Sequence, residues 1–444
     1  MDKEKQLIEY ILNATIDEIL ENIEELHPVD FLEALQEYDG NPIDLLQKLP
    51  NEYIAMVIDE SEIDEKYDLL SMFPQKQKQE IVSFMSSDEL ADMLGTIDED
   101  MQQNILDGME EEHREEMREL LSFSPETAGG IMATEFISVK ENMTIDDTLT
   151  FLREISPNAE TPYYIYVLDD FDVLKGIVPI RAILTSLPEV ILKDVMLENI
   201  AAIPVNMDQE EVSNIFQKYG YMAMPVVDED DVMLGVITVD DIMEVLSDEH
   251  TEDMYRLAGL DEEEEIDGSV ADSIKSRLPW LLVNLLTAIL ASATVSLFDA
   301  TIGRVVALAV FMPLITGMGG NAGTQTMTLM IRGIALGEIS YENKKAILKK
   351  EFLVGIFHGI ALGGVVAVLG GLWEGNWMFG LVIGVSMFLN MVVAALSGYF
   401  VPNLLKKLNV DPALASGVFV TTMTDVLGFF FFLGFATILI SYLV

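Results

Sequence analysis

The spacing of hydrophobic and polar positions changes three times along the chain. Up to about residue 125 the apolar residues recur at helical spacing in short runs, interrupted at Leu26-His27-Pro28, Leu49-Pro50, Phe73-Pro74 and Ile97-Asp98. The interruptions begin 23, 24 and 24 residues apart. That period predicts stacked helical hairpins, an N-terminal α-helical, solenoid-like domain over 1–130; a plain helical bundle with a chance period is the alternative. The spacing then turns to alternation. Tyr164 to Leu184 aligns without a gap on Ala223 to Met243 at a constant offset of 59, with Asp169 on Asp228 and Gly176 on Gly235. Each copy predicts a strand, an acidic turn, a second strand and the start of a helix. A segment headed by Met132 or Met196 precedes each copy, giving a tandem α/β pair over 131–245.

From 240 to about 258 the helical period returns, with Asp241, Glu244, Asp248 and Glu252 on one face. Such like charges repel, so either a bound divalent ion or plain solvation must compensate them. The segment 246–274 is expected to form an acidic connecting (plug) helix leading to the membrane. Beyond it stand five apolar stretches, 279–298, 305–331, 352–372, 378–401 and 412–444, each near or above the about 20 residues that span hydrocarbon. They predict a five-helix transmembrane domain over 275–444. Lys275 and Arg277, then Arg332, Lys344, Lys345, Lys349 and Lys350, then Lys406 and Lys407 occupy alternate connections. The positive-inside rule therefore puts the N-terminus in the cytoplasm and the C-terminus outside, with Trp373 and Trp377 as interfacial anchors.

Charge sharpens this division. The 75 acids fall 68 before Lys275 and seven from Lys275 onward, against 15 and ten basic residues. So acidic a soluble portion repels nucleic acid and suits cations or basic proteins, although acidity also serves solubility alone. Without cysteine there is no thiolate nucleophile or thiolate metal site. The four histidines are scattered, which leaves oxygen ligands and a hard ion such as Mg2+, Ca2+ or Mn2+. The charged, amphipathic start reads as no cleavable signal. The turns Asp169 to Asp172 and Asp228 to Asp231 lack the glycine and glutamate of a calcium loop and read as hairpin turns.

Two membrane stretches carry candidate chemistry. The second holds Gly317, Gly319, Gly320, Asn321, Gly323, Thr324, Gln325, Thr326 and Thr328. Helix packing accounts for the glycines better than for Asn321 and Gln325, which read as pore-lining candidates. The fifth holds Asp425, the single acid inside any of the five stretches. A carboxylate there costs about 2.5–3.5 kcal/mol on insertion scales, so it is expected to face a pore and meet a cation. Thr421, Thr422 and Thr424 would hydrogen-bond water held by that ion. Mg2+ keeps its water shell, so one carboxylate per subunit suits it, and a symmetric dimer would present two.

The helical acidic domain, the tandem repeat, the connecting helix and the motifs GMGGNAGTQ and TTMTDVLG together resemble the MgtE family of magnesium channels over essentially the whole length. The repeat itself looks like a pair of cystathionine-β-synthase-type (CBS) domains. The resemblance implies a homodimer of the cell (inner) membrane, multi-pass and in contact with lipid, that takes up hydrated Mg2+ through a pore at Asp425. It implies that cytosolic Mg2+ closes the pore by bridging acids. Matching positions are Asp208, Glu210, Asp241, Glu244, Glu249, Glu252 and Asp253, with Asp88 and Asp92 in the N-terminal domain. It further implies ATP at the CBS pair, where Thr238 and Asp241 match the second copy while Ala182 replaces a common aspartate in the first. Gly220 stands where the family often has another acid. Two other classes compete: a non-conducting membrane-anchored Mg2+ sensor, which needs no acid within a span, and a CBS-bearing enzyme, for which no catalytic cysteine, triad or phosphate loop is present. Transport of Mn2+, Co2+ or Ca2+ is a third reading.

Overall fold

The computed structural model describes residues 3–23, 26–155, 164–198, 200–260, 264, 266, 268–340 and 342–444. Two compact units result, Met1–Leu246 and Ser247–Val444. Among the described residues of the first, ten helices precede the strands. They are α1 (Lys3–Asn13), α2 (Ile16–Glu21), α3 (Pro28–Gln36), α4 (Ile43–Leu46), α5 (Asn51–Asp59), α6 (Ile63–Ser71), α7 (Gln75–Val82), α8 (Ser87–Thr96), α9 (Glu99–Leu106) and α10 (Glu111–Leu120). Proline sets several starts, because its fixed φ and missing N–H cost nothing there: Pro28 opens α3, and Pro50 and Pro74 cap α5 and α7. The odd-numbered helices α3 to α9 thus begin at the period read in the sequence. α3 packs on α5, α5 on α7, α6 on α8 and α8 on α10, so each helix pair rests on the next. Phe31, Leu45, Ile54, Ile58, Leu70 and Ile81 fill the core between them.

The repeat folds as two three-stranded sheets, β1 (Ser138–Lys140), β2 (Tyr164–Leu168) and β3 (Leu174–Pro179), then β4 (Ile203–Pro204), β5 (Ala223–Val227) and β6 (Met233–Thr238). In each sheet the first pair is parallel and the second a hairpin. α11 (Ile145–Ile155), α12 (Ile180–Thr185) and α13 (Gln209–Tyr219) flank them. Both acidic turns are hairpin turns. Asp172 and Asp231 take φ of 59° and 61°, and the Oδ1 atoms of Asp169 and Asp228 accept backbone N–H bonds across the turn. The upstream segments do not stay with their own copies, however. Ala133 pairs with Val236 of the second copy and Leu197 with Ile177 of the first. Gly235 and Gly176 permit the crossing: a Cβ on either would stand 2.7 Å or 2.8 Å from the carbonyl oxygens of Ala133 and Leu197.

α14 (Val239–Ala258) begins in the first unit and ends in the second. This corrects the expected connecting helix over 246–274. Gly259, at φ 75°, terminates α14, because only glycine enters the left-handed region without a Cβ penalty. The next helix, α15, starts at Val270. α15 (Val270–Ser296), α16 (Asp299–Arg304), α17 (Ala307–Ala335), α18 (Lys344–Glu374), α19 (Trp377–Lys407), α20 (Pro412–Ile438) and α21 (Ile440–Leu443) complete the second unit. Among the described residues, four helices are long and apolar enough to cross a membrane: α15, α18, α19 and the Gly417–Ile438 part of α20. α17 is equally long at 29 residues, but its glycines, amides and threonines dilute its hydropathy.

α18 and α19 approach almost backbone to backbone. A Cβ on Gly363 would stand 2.6 Å from the carbonyl oxygen of Gly384. Without a hydrophobic drive between helices in lipid, such close packing is the main attraction available. Gly363→Leu should therefore separate α18 from α19, cost about 1–3 kcal/mol by overpacking and lower the thermal midpoint of the full-length protein in detergent. Leu at Gly364, where a Cβ meets open space, should leave the midpoint near wild type.

Candidate functional site

In the first unit, the C-terminus of α5, the loop after it, the N-terminus of α8 and the first turns of α14 surround a cavity of about 360 Å³. Its walls are Asp59, Glu60, Ser61, Glu62, Ser86, Asp88, Glu89, Asp240, Asp241 and Glu244. Local rules place these acids. Asp88 and Glu89 occupy the first turn of α8, and Asp240 and Asp241 that of α14, where the positive end of the helix dipole favours carboxylates. Asp241 also accepts the Thr238 N–H at 2.8 Å, and the Thr238 hydroxyl lies between Asp240 and Asp241. The pair proposed for a nucleotide therefore also starts α14.

Burial raises the cost of these charges. The Asp92 carboxyl is pushed up to about 6 chiefly by desolvation; Glu244 adds to the rise and Lys66 opposes it. Burial likewise lifts Asp241, against the pull of its Thr238 hydrogen bonds. Asp88, Asp241 and Glu244 thus share one cavity, with Asp92 one turn behind Asp88. Asp208 and Glu210 stand elsewhere, at the start of α13, where the Asp208 side chain accepts the Glu210 N–H at 2.9 Å as an N-cap. Gly220 ends that same helix at φ 66°, a conformation that would strain an acid.

In the second unit, the end of α14 and the start of α20 share charges. Arg256 pairs with Glu252 one turn earlier and, at 2.6 Å, with Asp411, whose side chain caps α20 through the Ala413 N–H. Asp253 is lifted above the usual carboxylate range by burial first and by Asp411 next, while His250 lowers it. Glu249 lies on the same helix. Sequence reasoning missed Asp411, although Asp-Pro ahead of an apolar run is an N-cap signal.

α20 packs through a stripe at four-residue spacing, Val420, Thr424, Gly428, Phe432 and Ala436, all buried. Asp425 is one position off that stripe and half-buried. Thr421 and Thr422, both half-buried, donate to the carbonyls of Gly417 and Val418, which leaves their oxygens able to accept. Thr424 corrects the expected set: it is fully buried, with its methyl facing Gly323 of α17. On α17, Gly319 and Gly323 face neighbouring helices while Asn321 and Gln325 are exposed.

Two further polar side chains lie deep in this unit. Asn390 of α19 is wholly buried, donates to the Ile315 carbonyl at 2.9 Å, and fits because Gly319 and Gly428 leave room for it. Glu351 of α18 is 3% exposed, accepts from the Thr326 hydroxyl at 3.2 Å and pairs with Lys350 at 3.1 Å. It lines a cavity of about 210 Å³ with Gln325 and His358. Helix α18 begins before its apolar run, so Asp425 is not the only acid carried on these long helices. Glu351 heads the four-residue row of Gly355, Gly359 and Gly363, a pattern that marks its face as buried. Among the described residues, no three histidines or carboxylates are gathered closely enough to hold a metal ion by themselves. The donors are carboxylate, amide and hydroxyl oxygens, which suit a hard ion that keeps water.

Comparison with known proteins finds three family models along the chain. The MgtE divalent cation transporter family matches 312–435, the MgtE intracellular N domain 26–126, and the CBS domain 128–189 and 192–248. A protein of Enterococcus faecalis named magnesium transporter MgtE is 36% identical over 329 residues, 74% of this chain and 72% of its own length. Its namesake from Thermus thermophilus is 35% identical over 331 residues, 74% and 73%. A crystal structure of the soluble part of a magnesium transporter is similar at 30% identity with a TM-score of 0.52, over 55% of this chain and 97% of that one.

The buried acids make a stability prediction. Asp92 has a folded-state value of about 6 against 3.8 for the free group. A raised carboxyl contributes stability that is full below the unfolded value and lost as pH rises through the folded one. Asp92→Asn should therefore stabilise the full-length protein in detergent and chelator at pH 7, by an amount on the order of 2 kcal/mol. The gain should vanish near pH 4, and hydrogen exchange in α8 reads it.

Proposed function

The chain belongs to the MgtE family of divalent cation transporters, and from that premise we propose that it carries Mg2+ through a membrane pore closed by cytosolic Mg2+. Five long helices, α15 and α17 to α20, would form the membrane domain, with the N-terminus cytoplasmic and the C-terminus outside. α17 would count as a span because its polar face meets a water-filled path and not lipid. The observation that carries the pore is the half-buried Asp425 beside the packed stripe of α20. A carboxylate held at that edge is available to an ion. In a homodimer two copies of Asp425 would lie across the axis, with Asn321, Gln325 and Thr421 lining the approach. Each hydroxyl that donates to its own helix keeps lone pairs for the water protons of a hydrated Mg2+.

The gate rests on the two acidic groups. Mg2+ would bind through water to Asp88, Asp92, Asp241 and Glu244 around the cavity of the first unit. It would bind to Glu249, Glu252, Asp253 and Asp411 at the end of α14. The N-cap pair Asp208 and Glu210 offers a third, more exposed position. Bound ions remove the repulsion that keeps these elements apart and shift the population toward a closed state in which α14 obstructs the pore. ATP at Thr238 and Asp241 would act on the same switch, since Asp241 belongs to both.

Asp425→Ala should abolish Mg2+ flux into vesicles holding the purified protein, while Mg2+-dependent protease protection of the cytosolic portion persists. Retained flux would exclude the pore assignment. Asp241→Asn or Glu244→Gln should leave maximal flux intact and raise the internal Mg2+ needed for half-block about tenfold, the worth of one lost charge-assisted ligand. A threshold indifferent to both would exclude the cavity as sensor.

A further inference from the structure

Lys66 is out of place for a lysine. It is 5% exposed, on α6, with its ammonium against the Glu89 carboxylate on the cavity wall. Its charge also reaches Asp92, which Glu244 approaches from α14. Lysine is rarely so deeply buried, and the desolvation cost of such a pair makes it a poor source of stability compared with an apolar contact. The sequence offers an apolar choice freely, since the neighbouring Leu69 and Leu70 fill the core of the same helix. A fixed positive charge behind a wall of carboxylates does something an apolar residue does not: it offsets part of the negative field that draws in a divalent ion.

We propose that Lys66 is a tethered counter-ion that competes with Mg2+ for Glu89 and Asp92 and so sets the concentration at which the cavity fills. This rests on the reading of that cavity as the Mg2+ sensor. With little Mg2+ the ammonium holds Glu89 and tempers the repulsion. When the ion enters, Glu89 is shared or surrendered, and the energy of breaking the ion pair is subtracted from the energy of binding. A higher Mg2+ level is then needed for closure. Without Lys66 the same carboxylates would fill at a lower level and the pore would close too early.

The test uses the full-length protein in vesicles, reading flux block against internal Mg2+ and, independently, Mg2+-dependent protection from a non-specific protease. Lys66→Met should lower the half-blocking Mg2+ about three- to tenfold, the scale of one unit charge near a protein surface, whereas Lys66→Arg should stay near wild type. Glu89→Gln should shift the threshold upward, and Lys66→Met combined with Glu89→Gln should return it close to the starting value. If Lys66→Met does not fold, Lys66→Gln, which keeps a donor for Glu89, carries the same expectation. Asp241→Asn serves as reference. If it raises the threshold while the Lys66 variants leave theirs unmoved or raised, the counter-ion role is overturned and the sensor stands. If neither moves the threshold, both are overturned. A full downward shift that survives in the double variant would overturn the competition for Glu89.

Discussion

A carboxylate taken out of water must be given a cation, a hydrogen-bond donor or a proton, and the molecule meets that demand differently in each place. Glu351, buried among α17, α18 and α19, has a threonine hydroxyl and a neighbouring lysine. Asp411 and Glu252 share Arg256. Glu89 has Lys66. Around the cavity of the first unit acids from three segments crowd together, and burial gives Asp92 and Asp241 a raised affinity for protons. On the proposed reading, that crowding of carboxylates would make the cavity responsive to an external cation. A site already neutralised by its own lysines and arginines would have nothing to gain from an external ion.

In the second unit the packing of small residues dominates. Small residues bring α18 and α19 into backbone contact, Gly319 and Gly428 make room for Asn390, and Gly323 makes room for Val420. Close packing of this kind supplies stability in lipid without spending polar groups on the interface. Asn321 and Gln325 are then left exposed and Asp425 partly so, where a water-filled path or a second copy could meet them. The proposed closure by cytosolic Mg2+ would need only that the ion bind one arrangement more tightly than the other. A shift from mostly open to mostly closed takes about 5.5 kcal/mol of differential binding, a sum that several sites can share.

Much of this was legible along the chain. The helix-pair period, the offset of 59 between the two sheets and the apolar stretches follow from local spacing, because helix and strand periodicity is imposed by backbone geometry within a few residues. The hairpin character of Asp169 to Asp172 and Asp228 to Asp231 followed in the same way, from a missing glycine and glutamate. The sequence also held local signals that went unread, such as Asp411 before Pro412 and Glu351 at the head of a glycine row. What no local rule contains is which distant segments meet. The exchange of the Met132 and Met196 segments between sheets leaves the repeat unchanged as a pattern, so only the fold reveals it. The same is true of the cavity, whose acids come from residues 59 to 62, 86 to 89 and 240 to 244, and of Lys66 behind it. The sequence by itself determined the elements, the charge and the chemistry of the donors; the tertiary structure decided which carboxylates are deprived of water together, because burial is a property of neighbours and not of the residue.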